Sequence, residues 1–221
     1  MHKFYELPSW LKWTCTLVLF ACFLGIVGLW FKLITIHFAF YLLIFLIAPF
    51  YHFTLTPLMT LTGIYKYLSP MLLVYQASPE QYDLHNGTGF DYFLHMRNTR
   101  PGRDIRRRLL IYYMEGLLKI IQEIESGLIP ESIAIKGTSY FFSTATAKRF
   151  GFTTEPAPKD GKLNLYFNYF EILWMYALAQ GRIALPPLKN IQMAKTSGQS
   201  LINNKGKIEL YYNFLLTRSK K

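Results

Sequence analysis

The longest stretch without a charged side chain, from Leu33 to Tyr65, constrains the fold of this chain more than any other feature. A second uncharged stretch, from Trp13 to Phe31, precedes it, and Lys32 is the one charge between them. A membrane-spanning helix needs about 20 mostly apolar residues, and each stretch is long enough. The sequence therefore predicts two transmembrane helices, at 13–31 and 33–53, which form a transmembrane hairpin.

The second stretch is longer than one span requires. Pro49 and Pro57 divide it, and proline interrupts the hydrogen bonding of a helix. Tyrosine and lysine side chains such as Tyr65 and Lys66 are typical of the lipid head-group region. We therefore expect residues 54–75 to be an interfacial segment that follows the second span.

The distribution of charge predicts the orientation of the hairpin. The chain carries a net charge of +11, and its Lys and Arg residues are concentrated in 1–12 and after Lys66. Because cytoplasmic segments of membrane proteins are enriched in Lys and Arg, both termini are expected in the cytoplasm. A cleaved signal peptide is disfavoured, since its apolar part is usually only about 7–15 residues long. The prediction is an integral membrane protein with two spans.

Small residues form a stripe along the first span, at Ala21, Gly25 and Gly28. Such stripes let a second helix approach closely. The partner helix is either the second span of the same chain or a helix of another chain, in a homodimer or a complex with a partner protein. Both alternatives are compatible with the sequence.

Residues 76–221 are expected to form a cytoplasmic α+β domain. Asn86-Gly87 between two alternating segments, 82–85 and 90–96, predicts a β-hairpin, because both central residues of a type I′ turn need positive φ. The pairing of this hairpin would place Asp83 and His85 on one face, with Asp91 and His95 on the other. The sequence therefore does not favour a metal site at these four residues.

Six arginines within twelve residues are the sharpest polar feature of the domain. They open a predicted helix that begins near Pro101 and ends near Gly127. Guanidinium groups at the start of a helix favour an anion site. The candidate anion-binding residues are Arg97, Arg100, Arg103, Arg106, Arg107 and Arg108. The ligand is open among anionic membrane lipids, a phosphate-bearing molecule and a partner protein, whereas nucleic acid is disfavoured because no aromatic residues alternate with the arginines.

The rest of the domain alternates between short predicted elements. Strands are expected at 132–136 and 163–169. Helices are expected at 143–150, 170–180, 197–204 and 207–216.

Part of the domain resembles the second half of the GNAT acetyltransferase fold. That family places a strand, an Arg/Gly-rich loop at a helix start, another strand, a short helix and a closing Gly-Phe in this order. The segments Phe93–Met96, Arg100–Arg108, Ile133–Lys136 and Ala147–Phe152 follow it here, although Arg103 and Ile105 stand where the family has small residues. The resemblance implies acyl-CoA as cofactor.

Two functions are compatible with these observations. The first is a non-catalytic binding module, held at the membrane, that uses the basic helix start. The second is a GNAT-like acyltransferase, or another enzyme acting on a phosphate-bearing substrate, with His85, Asp91 or His95 as a general base. A transporter is disfavoured, because no acid or base lies in the middle of either predicted span.

Overall fold

A computed structural model describes residues 4–139, 144–157, 168–187 and 191–219. The chain begins with a long apolar helix, α1 (Ser9–Ile36), whose 28 residues correspond to about 42 Å. Within the described ranges, this is the one continuous helix that is long and apolar enough to cross a membrane.

The second predicted span is a bent segment rather than one straight helix. A short 3-10 helix at Phe38–Leu43 leads into α2 (Ile44–Leu61), which contains Pro49 and Pro57. The pieces Phe38–Ile47 and Pro49–Leu61 meet at an angle of 47°. The bend lies at Pro49, which has no amide hydrogen and whose ring clashes with the preceding turn.

α1 and α2 pack against each other in opposite directions. The ring of Phe23 lies 5.7 Å from that of Tyr51, and Tyr5 donates to Thr60 at 3.1 Å near the start of α1. The small-residue stripe does not mediate this packing. A methyl group added at Gly25 or Gly28 would meet no atom within 4 Å, so the interpretation of the stripe as the contact between the two helices is wrong.

The domain is built on a six-stranded mixed sheet. Its strands are β1 (Tyr65–Ser69), β2 (Leu72–Tyr75), β3 (Gln81–Asn86), β4 (Ala134–Ser139), β5 (Thr153–Pro156) and β6 (Gln192–Ser197). They lie in the order β1-β2-β3-β4-β6-β5, and every neighbouring pair is antiparallel except β3 and β4. The sheet therefore begins inside 54–75, the segment that we expected to be interfacial.

Six helices accompany the sheet in the part of the chain that the structure describes. They are α3 (Gly89–His95), α4 (Arg103–Glu125), α5 (Thr144–Arg149), α6 (Tyr169–Gln180), α7 (Gly198–Asn203) and α8 (Lys205–Ser219). The predictions of α4, α5, α6, α7 and α8 are confirmed within a few residues at each end. The strand expected at 163–169 falls mostly outside the described residues, and Tyr169 begins α6.

The predicted hairpin around Asn86-Gly87 is wrong. Its first half is β3, but its second half is α3. Thr88 starts this helix through a capping box, in which the Thr88 and Asp91 side chains each bond to the other residue's backbone amide. This side-chain pairing satisfies free amides at the helix start, so the local sequence favours a helix over a returning strand. Residues 93–96, which we expected to be the first strand of the GNAT-like order, lie in α3 and its C-cap, so that prediction is wrong.

The core lies between the sheet and α4. The apolar positions of α4 recur at helical spacing, and Ile105, Leu109 and Ile120 are almost fully buried. Gly116 faces Leu72 of β2 so closely that a methyl group there would lie 2.5 Å from it. This contact holds α4 tightly across the strands that carry the candidate site.

Candidate functional site

The two parallel strands of the sheet separate at their carboxyl ends. β3 and β4 pair from Gln81 with Ala134 as far as Leu84 with Gly137. β3 then continues to Asn86 along β2, while β4 continues along β6. A gap therefore opens inside the sheet, at the edge where α/β proteins usually bind ligands.

A cleft of about 400 Å³ lies at this gap. β3, β4, α2 and α6 contribute to its walls, together with the turn that precedes α3. Its polar lining consists of Tyr51, His52, Tyr65, Tyr75, His85, Asn86, Thr88, Thr138, Asn168 and Glu171.

A smaller apolar cavity of about 60 Å³ adjoins the cleft. Asn86 and Thr138 line both spaces. Its other walls are apolar side chains such as Leu117 of α4 and Phe150, which follows α5. A polar cleft that continues into an apolar space fits a ligand with a reactive polar group and an apolar or extended tail.

The most unusual contact in the cleft joins His52 of α2 to Glu171 of α6. The imidazole Nδ1 hydrogen-bonds to one carboxylate oxygen of Glu171, and the other oxygen accepts the amide of Gly89 at 2.8 Å. Glu171 is 4% exposed, whereas the side chain of His52 is 23% exposed. A buried carboxylate that orients an imidazole through Nδ1 leaves Nε2 for proton transfer, as in the catalytic triads of hydrolases.

A second imidazole lies in the same cleft. His85 stands near the end of β3, and its Nε2 lies 3.7 Å from Asp83. Burial lowers the pKa of His85; the nearby Asp83 acts in the opposite direction, while Lys136 and His52 lower it further. His85 is therefore neutral at neutral pH and able to accept a proton. Burial also raises the pKa of the neighbouring Tyr65 to about 12, so this phenol remains a hydrogen-bond donor.

The other two candidate bases lie outside the cleft. Asp91 is 1% exposed and accepts hydrogen bonds from the Thr88 amide at 2.7 Å and the Tyr67 hydroxyl at 2.8 Å. These bonds hold the start of α3. His95 ends α3, and its ring lies 6.0 Å from that of Tyr112. Only His85 of the three candidates faces the gap between the strands.

The arginine cluster forms a separate open groove on the outer face of α4. It has a volume of about 690 Å³, and Arg100, Arg103, Arg107 and Arg108 line it. Within the described ranges, none of the six guanidinium groups forms an ion pair with a carboxylate. Arg106 is exposed beside the groove, and Arg97 stacks on Phe93 at 5.6 Å. One carboxylate, Asp104, also lines the groove, so the groove carries an excess of positive charge that ion pairs among the described residues do not neutralise.

The helix start itself is less open than the sequence indicates. Gly102 precedes the first turn of α4. Its amide donates to the carbonyl of Leu178 at 2.8 Å, and it packs directly against Gly181 at the end of α6. The Thr99 hydroxyl, which precedes the helix, accepts a hydrogen bond from the Arg108 guanidinium. An anion in the groove would therefore meet mainly side chains rather than the start of the helix.

Comparison with protein-family models gives no match, and neither curated proteins nor solved structures match this chain. The candidate site is therefore defined by the geometry of this chain alone.

Sequence reasoning missed the pair His52 and Glu171. His52 lies at the end of an uncharged stretch, where an interfacial histidine is the ordinary expectation. Glu171 is the one charged residue of the otherwise apolar helix α6. An acid in such a helix needs a partner, because an unpaired buried carboxylate is costly. That signal was available, but the identity of the partner, 119 residues away, depends on the tertiary fold.

Asp91 predicts an unusual dependence of stability on pH. Burial raises the pKa of Asp91 to about 7, although hydrogen bonds from Thr88 and Tyr67 act to lower it. An unfolded aspartate has a pKa of about 3.9, so between about pH 4 and 7 the folded state binds more protons. The stability that protonated Asp91 contributes to the folded state is fully present below the pKa of the unfolded aspartate. It is lost as the pH rises through about 7.

In the parent protein, Asp91 should lower the free energy of unfolding by at most about 1.4 kcal/mol for each pH unit between about pH 4 and 7. We expect the Asp91→Asn variant to lack this decrease. Denaturant unfolding of the full-length protein across this pH range, followed by tryptophan fluorescence, measures the slope. Glu209→Gln, at an exposed carboxylate of α8, is the control and should keep the parent slope. An unchanged slope in Asp91→Asn would contradict the assignment.

Proposed function

We propose that this protein is a membrane-anchored acyltransferase that moves an acyl group from acyl-CoA to an acceptor at the membrane. The observation that carries the proposal is the gap between β3 and β4, which opens onto a cleft containing His52, Glu171 and His85. Two imidazoles beside a ligand-sized cleft favour proton transfer over simple binding.

The gap suits the extended arm of CoA. Among the described residues, 85–86 of β3 and 138–139 of β4 have no strand partner across the gap. Backbone groups at such an edge bind extended chains that contain amides, as sheet edges bind peptides. The pantetheine arm of CoA is such a chain, and the adjoining apolar cavity accommodates methylene groups.

The proposed chemical step needs no enzyme nucleophile. A hydroxyl or amine of the acceptor attacks the carbonyl carbon of the thioester, and its proton passes to Nε2 of His52. The bond between carbon and sulfur breaks, and the sulfur leaves with the electron pair as a thiolate, which then takes up the proton. Glu171 favours the imidazolium that forms between these two transfers. His85 is the alternative base.

The resemblance to the GNAT fold supports the same reaction. α4, β4, α5 and the pair Gly151-Phe152 follow the order that the resemblance implies, whereas its first strand, expected at 93–96, is helical. α3 is an additional helix between β3 and the basic segment. The amide of Gly102 at the start of α4 is bonded to Leu178, and the arginine groove shares no lining residue with the cleft, so neither is assigned to the phosphates of CoA.

We further propose that α1 and the bent segment 38–61 form a two-span hairpin with both termini in the cytoplasm. What supports this is the antiparallel packing of α1 on α2, together with the excess of Lys and Arg outside the apolar segments. The bend at Pro49 is compatible with a membrane span. In transmembrane helices that contain proline, neighbouring helices provide hydrogen-bond partners for the backbone groups that the proline leaves unpaired.

The reaction is testable with the purified full-length protein in detergent. Acetyl-CoA and palmitoyl-CoA serve as donors and a total membrane lipid extract as acceptor, and chromatography measures the CoA formed. We expect His52→Asn to lower the rate by about 10²–10⁴-fold, because it removes the general base. His95→Asn is a matched control, since His95 lies outside the cleft, and it should keep the parent rate.

A thermal-shift experiment accompanies this assay. Acyl-CoA that binds the folded state raises its melting temperature, by an amount that grows with the logarithm of the ligand concentration relative to Kd. The proposal fails if no acyl-CoA stabilises the protein, or if His52→Asn and His85→Asn both retain the parent rate.

A second function is favoured by the excess of positive charge in the arginine groove. As a binding module, the domain would hold anionic lipid head groups or another phosphate-bearing ligand at Arg100, Arg103, Arg107 and Arg108. Each basic residue near an anionic leaflet contributes about 1 kcal/mol. This function does not require the cleft, so the two proposals are separable.

Hydrogen exchange in lipid nanodiscs tests the second function. We expect amides in 97–112 to exchange more slowly in anionic than in zwitterionic nanodiscs, and high salt to abolish the difference. Arg100→Glu with Arg103→Glu should abolish it as well. Lys119→Glu with Lys207→Glu changes the charge equally at exposed positions elsewhere and should preserve it. Identical exchange in both lipids would exclude this function.

A further inference from the structure

A second, apolar groove lies between α2, α3 and α6, and Glu171 lines both this groove and the cleft. Its volume is about 510 Å³. Its walls include Phe50, Phe53, Phe93, Met96, Trp174 and Leu178. We propose that this groove binds the acyl chain of an anionic monoacyl lipid, with the lipid head group at Arg97.

The position of the groove favours a lipid chain over a soluble ligand. Phe50 and Phe53 line the groove and lie in the same turn of α2 as Tyr51. Tyr51 contacts Phe23, which lies near the middle of α1. α1 is the helix that is long and apolar enough to cross a membrane. The groove therefore flanks the apolar hairpin, where acyl chains are the most abundant partner. Its volume falls within the range of about 300–1,000 Å³ that is usual for small-ligand sites.

The groove is accessible from outside the domain. Phe93 is 51% exposed and Trp174 is 36% exposed, although both are large apolar side chains. Exposed apolar surface of this kind marks a binding or membrane-contact site. A bound chain would cover both rings.

Charge at one end of the groove selects an anionic head group. Arg97 stacks on Phe93, and no carboxylate among the described residues pairs with its guanidinium. Thr99 lines both this groove and the arginine groove. A head group at Arg97 would therefore also lie close to Arg100, which lines the arginine groove. Guanidinium groups bind phosphate through paired hydrogen bonds, which gives such a site both strength and orientation.

The groove adjoins the reactive cleft at Glu171. Glu171 lines both spaces, and Gly89, whose amide it accepts, lines the groove. A chain in the groove therefore covers one side of the carboxylate that orients His52. This lipid site goes beyond the acyltransferase proposal and does not rest on it, because binding requires no transfer.

Trp174 provides a direct probe, because the chain has only three other tryptophans, all in α1. A full-length variant with Trp10→Phe, Trp13→Phe and Trp30→Phe retains Trp174 alone. The probe is lysophosphatidate with a brominated acyl chain, which quenches a tryptophan that it touches. The control lipid is the monoacylglycerol with the same brominated chain and no charge.

We expect saturable quenching of Trp174 by the lysophosphatidate in detergent micelles, with at least tenfold weaker binding of the uncharged lipid. Arg97→Glu should weaken lysophosphatidate binding by about tenfold or more, because it removes a charge-assisted contact. Phe93→Glu, at a half-exposed position, should abolish it. Lys119→Glu carries the same charge change away from the groove and should bind like the parent.

A measurement in the parent chain guards against misfolding of the triple variant. There, Trp174→Phe should remove the saturable part of the quenching. The proposal is overturned if quenching is unsaturable and equal for both lipids, which indicates partition into the micelle only. It is also overturned if the Arg97→Glu and Phe93→Glu variants bind lysophosphatidate like the parent. A third contradicting result would be that a second copy of the chain occupies the groove and Trp174 is not quenched. Loss of acyl transfer with intact lipid binding would contradict only the enzyme proposal.

Discussion

The contact between His52 and Glu171 connects the parts of this molecule on which its function depends. It ties α2, from the apolar hairpin, to α6 of the α+β domain, and the second oxygen of Glu171 holds the amide at the start of α3. Removing either partner would leave a buried polar group unpaired, which is costly in an apolar environment. The same contact orients an imidazole toward the cleft, so one interaction serves the stability of the domain and the chemistry that we propose.

The sequence predicts those elements whose pattern is strong over many residues. α4 is found within two residues of its expected start and end, because an apolar residue recurs at each helical turn and Gly127, at φ 73°, suits its termination. Short elements are less predictable. β1 and β2 lie in a segment rich in tyrosine that resembles a membrane interface, and only their pairing with β3 makes them strands. α3 shows the reverse case, where one capping pair overrides a strong turn signal.

The candidate site shows the same division. The arginine cluster is visible in the sequence because its residues are consecutive, and the structure adds that carboxylates of the described residues do not neutralise it. The cleft is not visible, since His52, His85 and Glu171 come from three distant segments. The separation of β3 from β4 cannot be read from either strand, because it depends on how β3 pairs with β2 and β4 pairs with β6 beyond Leu84 and Gly137.

The central claim is that His52 and Glu171 interact directly, and a double-mutant cycle tests it. His52→Ala, Glu171→Ala and the double variant are unfolded by denaturant in the same detergent as the parent, and the four free energies of unfolding are compared. Residues in direct contact couple by about 0.5–3 kcal/mol, and we expect a stabilising coupling of more than about 1 kcal/mol. Additivity of the two single substitutions to within about 0.5 kcal/mol would contradict the account.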